Sequence, residues 1–123
     1  MQVMKIAHLY ADKNGESHFA EKDIAFELND FSPPTLPVGV SDAQTSRTHL
    51  FLRLPPHWFG KFHTAPSRQI VTVVQGEVEV TVSDGVSRLF APGATMLAED
   101  TIGKGHATRN MSDEPVVLSV TQL

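Results

Sequence analysis

His63 and His106 are far apart in the chain, and they are the residues best equipped to do chemistry. A neutral imidazole offers one nitrogen lone pair, which can take a proton, accept a hydrogen bond, or bind Zn, Fe, Mn, Ni or Cu. Gln69 follows His63 by six residues and adds an amide oxygen, a neutral and weak donor. A third ligand would come from Gln69 or from Glu99, His49 or His57. Without a carboxylate, such a set holds a divalent ion less tightly, because no anion offsets the charge. The same side chains also suit an apo pocket in which they simply hydrogen-bond. Both uses stay open at this level.

Other groups stand nearby in sequence. Arg53 and Arg68 can hold a carboxylate through the paired donors of a guanidinium. Arg68 precedes Gln69 directly, so strand alternation turns it the other way, and Arg53 is the better anion candidate. Trp58, Phe59 and Phe62 cluster before His63. They either wall an apolar pocket or pack in a core or interface. Glu99 and Asp100 are adjacent, so on a strand they point apart. Lys104 lies between two glycines and reads as a loop lysine. No glycine-rich phosphate loop has its strand-loop-helix setting, and no nucleophile-elbow spacing occurs.

These side chains need short strands to position them. Glu77 to Val82 alternates strictly, with Val78, Val80 and Val82 on one face. Asp84-Gly85 then turns the chain into Val86 to Phe90, a strong hairpin signal. Pro92-Gly93 marks another turn, Thr95 to Ala98 a short strand, and Val116 to Thr121 a final one. Gln69 to Gln75 is nearly all apolar, as expected of a strand buried on both faces. Thr48 to Leu54 places Leu50, Leu52 and Leu54 on one face and His49, Phe51 and Arg53 on the other. Val3 to Tyr10 and Ser17 to Leu28 flank an Asn14-Gly15 turn, with a helical turn near Ala20 to Ile24 as the one exception to strand. Ser32 to Val40 carries three prolines and a glycine, which makes it an extended arm. Strands at this spacing point to an all-β sandwich or barrel.

The chain has 123 residues, 41% hydrophobic and 20% charged, enough for one packed domain. Residues 1–45 form N-terminal strands and the proline-rich arm, and 46–123 the barrel core. The net charge of -4 and the lack of a basic block argue against nucleic acid and anionic membranes as partners. Without cysteine there is no disulfide, thiolate metal site or thiol nucleophile. No long apolar segment marks a signal peptide or membrane span, so a cytoplasmic protein is expected.

Between Gly60 and Asn110 the sequence resembles the cupin superfamily, in particular small single-domain bacterial cupins. The family's second motif runs Pro-x-Gly, two residues, His, three residues, Asn. Gly103, His106 and Asn110 match it, with Thr101 where the proline usually stands. In the first motif, counted back from Gly76, His63 takes the first histidine position, Ala65 the second and Gln69 the glutamate. The resemblance implies a jelly-roll barrel, a double-stranded β-helix with an N-terminal extension. It also implies a site in the barrel mouth and, with the proline-rich arm and the aromatic cluster, a homodimer. The usual three histidines and one glutamate are reduced to two histidines and a glutamine. Expected ligands to a divalent ion (Fe, Mn, Ni or Zn) are His63, His106 and, weakly, Gln69. His49, Arg53, His57, Trp58, Gln69 and Asn110 are expected to line the mouth. Two functions follow: a metal-assisted enzyme acting on a small polar or carboxylated molecule, or a metal-free barrel that binds a small molecule without catalysis.

Overall fold

The computed structural model describes residues 3–123. Twelve strands follow in order: β1 (Met4–Ala11), β2 (Ser17–Ile24), β3 (Glu27–Asn29), β4 (Val38–Val40), β5 (Thr48–Leu54), β6 (Phe59–His63), β7 (Gln69–Gln75), β8 (Val78–Val82), β9 (Ser87–Phe90), β10 (Thr95–Ala98), β11 (His106–Arg109) and β12 (Val116–Gln122). One sheet has the order β2-β1-β10-β7-β12-β5 and the other β6-β11-β8-β9, while β3 pairs only with β4. All pairings are antiparallel except β1 with β10. No helix among the described residues is long and apolar enough to cross a membrane.

The two larger sheets bury their facing sides against each other. Val78, Val80 and Val82 of β8 are at most 1% exposed, and the residues between them face outward. They meet Leu9, Val71, Val73, Met96, Val116, Leu118 and Val120 of the six-stranded sheet. Period-two alternation on an antiparallel sheet produces this division of faces.

Both turn signals are realised, Asp84-Gly85 as the β8–β9 hairpin and Pro92-Gly93 as the step from one sheet to the other. Gly85 and Gly93 adopt positive φ, +100° and +91°, and Asp84 caps its turn by accepting from the Val86 N–H. Two expectations change. Residues 20–24 lie inside β2, because β2 pairs with β1 along its whole length from Ser17↔Ala11 to Ile24↔Met4. That ladder overrides a weak local helical preference. β7 is buried on one face only: Val71 and Val73 point inward, while Val74 is 50% exposed. Being central in a sheet does not cover both of its sides.

Candidate functional site

An irregularity in β6 creates the site. β11 pairs with β6 at Thr108↔Gly60 and next at His106↔His63. Gly60 to His63 spans three steps and Thr108 to His106 only two, so β6 carries one extra residue. Regular alternation would place His63 on the face opposite Gly60; the bulge brings it back to the inner face. The two imidazole rings lie with centroids 5.0 Å apart, tilted by 49°. Gly105 permits this approach, since a Cβ there would collide with the His63 carbonyl group.

Each ring is oriented through its Nδ1. His63 Nδ1 donates to the carbonyl oxygen of Lys61 at 2.7 Å. His106 Nδ1 donates to Asp100 Oδ2 at 2.6 Å. Asp100 is fully buried, and its Oδ1 has no hydrogen-bond partner among the described residues. The residues do point apart as expected. Asp100 turns in to His106, while Glu99 turns out to Arg68 and to His8, the latter at 2.6 Å. Burial alone would push the Glu99 carboxyl up, but Arg68 and His8 bring it below its ordinary value.

The rings line a cavity of about 110 Å³ between the sheets. Its polar lining is His63, His106, Gln69 and Thr108; the rest is apolar, including Leu52, Leu54, Trp58, Val80, Met96 and Leu118. Trp58 reaches it because the 55–58 turn closes with the Trp58 N–H on the Pro55 carbonyl (3.1 Å) and the ring lies over Gly60. Phe59 and Phe62 face the other side of the sheet, where Arg109 lies 5.1 Å from the Phe59 ring centroid.

His63, His106, Gln69 and Trp58 therefore come together, and four other expected lining residues do not. His49 is on the outward face of β5 and shares a 2.8 Å hydrogen bond with Ser119 Oγ. Arg53 is on the same outward face and is exposed. Leu52 and Leu54 occupy the cavity side, so strand alternation excludes both. His57 adopts φ +62° in the turn and bonds Asp113 outside (2.6 Å). Asn110 is fully buried behind the cavity as a loop clamp. Its Nδ2 donates to the carbonyls of Leu54, Pro55 and Glu114, and its Oδ1 accepts from Ser112.

These placements leave no third ionisable ligand. Glu99, His49 and His57 face away, and Ala65, where the resemblance would put a second histidine, is packed at 2% exposure. Among the described residues no group of three His, Cys, Asp or Glu could hold a metal ion. The donors that line the cavity are His63, His106 and the neutral amide of Gln69, and no carboxylate among them offsets a divalent charge. The donor set does not fit a resident divalent ion of the kind the fold suggests. Asp100 is the residue that the sequence reading missed.

Two sheets packed face to face, with a polar-floored cavity between them, define a jelly-roll barrel. The chain belongs to the cupin domain family Cupin_2, whose profile matches residues 50–121. Among solved structures it is similar to the Cupin_2 domain of an XRE family transcriptional regulator from Enterobacter cloacae. The identity is 29%, over 61% of this chain and 79% of that one, with a TM-score of 0.48. It is similar also to the protein TT1209 from Thermus thermophilus, with 31% identity over 65% and 76% of the two chains and a TM-score of 0.48. Drosophila melanogaster CENP-C bound to CAL1 gives a TM-score of 0.50 over 81% and 80% at 16% identity, a likeness of fold alone. No curated protein matches.

Proposed function

We propose that this cupin is a small-molecule-binding barrel that works without a resident metal. One observation carries the reading: two imidazoles stand in a largely apolar wall whose other polar groups, Gln69 and Thr108, are neutral, and no carboxylate among the described residues completes a ligand set. A concave apolar pocket with a few convergent polar groups is the usual form of a small-ligand site. Its volume limits the guest. A cavity of about 150 Å³ accommodates benzene, so about 110 Å³ encloses roughly four or five heavy atoms. The apolar body contacts Leu54, Val80 and Leu118, and the polar end meets the histidines.

The competing reading is a metal-assisted enzyme. One feature favours it: both Nδ1 atoms are engaged, as in metal sites where a second partner fixes each histidine. Metal analysis of protein purified without chelator separates the two. The expected result is far less than one ion per chain, and no rise in Tm with Zn, Mn, Ni or Fe(II). One ion per chain, lost in His106→Ala, would replace the metal-free reading with the metal-assisted one.

A further inference from the structure

The hydrogen-bonding polarity of the cavity floor selects the guest's head group. A backbone carbonyl and a carboxylate are both acceptors, so the Nδ1 atoms of His63 and His106 carry their hydrogens. In a neutral ring the lone pair then sits on Nε2, on the edge left for the cavity. Both imidazoles thus offer acceptors to whatever binds. Among the described residues no lysine or arginine lines the cavity. The nearest buried acid is the Asp100 carboxylate, whose one side-chain hydrogen-bond partner among the described residues is His106 and whose Oδ1 stays unpartnered. A carboxylate guest would meet two lone pairs and a like charge in a largely apolar wall, with only the neutral Gln69 amide and the Thr108 hydroxyl to offset its desolvation. A hydroxyl or an ammonium would meet complementary groups.

We infer that the ligand of this pocket is a compact aliphatic molecule whose head donates hydrogen bonds, an alcohol or a primary ammonium, and that carboxylates are rejected. Asp100 is the positioning residue: it holds His106 in the tautomer that sets this preference. The inference rests on the metal-free binding reading above.

The test uses three molecules built on one branched four-carbon skeleton: isobutanol, isobutylammonium and isobutyrate. Each is titrated into the full-length protein at about pH 8, where an ordinary histidine is neutral. Imidazole 15N resonances of His63 and His106 report binding. At least one donor-headed compound is expected to bind about ten-fold or more tightly than isobutyrate. Binding should move the Nε2 resonances and leave Nδ1 in place. Asp100→Asn removes the buried charge at nearly constant shape. A preference for isobutylammonium should shrink in that variant, and a preference for isobutanol should persist. These two patterns distinguish an amine from an alcohol as the natural head. Tighter binding of isobutyrate overturns the inference and leaves the pocket reading intact. If none of the three perturbs either histidine, the pocket reading falls and this inference with it. The wild-type ranking suffices even if Asp100→Asn fails to fold.

Discussion

Trp58 is the only tryptophan in the chain, which makes the cavity wall observable. A Cβ on Gly60 would run into its ring, and Gly60 has an ordinary backbone conformation. Gly60→Ala should therefore push the indole outward, leaving the strand in place. Tryptophan emission is expected to shift to the red with little change in Tm; an unchanged spectrum would mean that the ring does not rest there. Gly105→Ala is different, because its Cβ would strike the His63 backbone at a residue with φ +72°. Backbone on one side and strain on the other leave no cheap relief, so a loss of about 2–4 kcal/mol is expected by chemical denaturation. Asn110 gives a third case. Its amide nitrogen serves three carbonyls. Asn110→Ala should lose about 2–4 kcal/mol, with Asn110→Asp no milder, since a carboxylate cannot donate to those oxygens. A Tm equal to that of the parent would contradict the clamp.

At the scale of elements, His18 joins two hairpins. From β2 it bonds Asp12 of the first turn through Nε2 (2.8 Å) and Asp84 of the β8–β9 turn through Nδ1 (2.7 Å). Asp12 first and Asp84 next raise the His18 pKa above 6.5. Asp12 is lowered chiefly by His18, and Asp84 by the Val86 N–H and then by His18, both from 3.8. The sign follows from linkage. The imidazolium's contribution is complete below about pH 6.5 and fades as pH rises through its raised value. The carboxylates contribute above about pH 4, and that share is lost as pH falls through their lowered values. The clamp is thus complete between about pH 4 and 6.5. Thermal melts should show Tm declining above that window, and His18→Phe should flatten the decline. An equal decline in the variant would place its origin elsewhere.

Much at this scale was legible in advance, for local reasons. The alternation of Glu77 to Val82 and the Asp84-Gly85 turn each depend on neighbours in sequence. The alternation of β5 also held the answer about His49 and Arg53. The leucine face had to be the buried one, which sends their side chains outside. The bulge in β6 had no sequence signature, because its cause is the pairing with β11. Asp100 was equally hidden, since its role needs the 101–105 loop to fold back so that His106 returns beside it. Two glycines at positive φ, Gly103 and Gly105, allow that return.

For the whole molecule, the arm poses a physical problem that the barrel does not solve. β3 and β4 pair only with each other, and Leu28, Phe31 and Leu36 are 71%, 70% and 83% exposed. β5 ends the six-stranded sheet, with Phe51 outward at 65% exposure. Scattered apolar residues are normal on a surface, but an apolar arm and an open sheet edge together are features that proteins usually cover. A second copy would cover both at once, by laying its arm on the neighbouring barrel and receiving the neighbour's arm in return; a two-fold arrangement makes that exchange symmetric. Light scattering is expected to give twice the 13.5 kDa chain mass. The combined substitutions Leu28→Asp, Phe31→Asp and Leu36→Asp fall on exposed residues outside the core cluster, so they should yield a folded monomer with an unchanged strand spectrum. A parent protein of single-chain mass at high concentration would defeat this arrangement. So would a triple variant that stays dimeric, since the arm would then not be the joint.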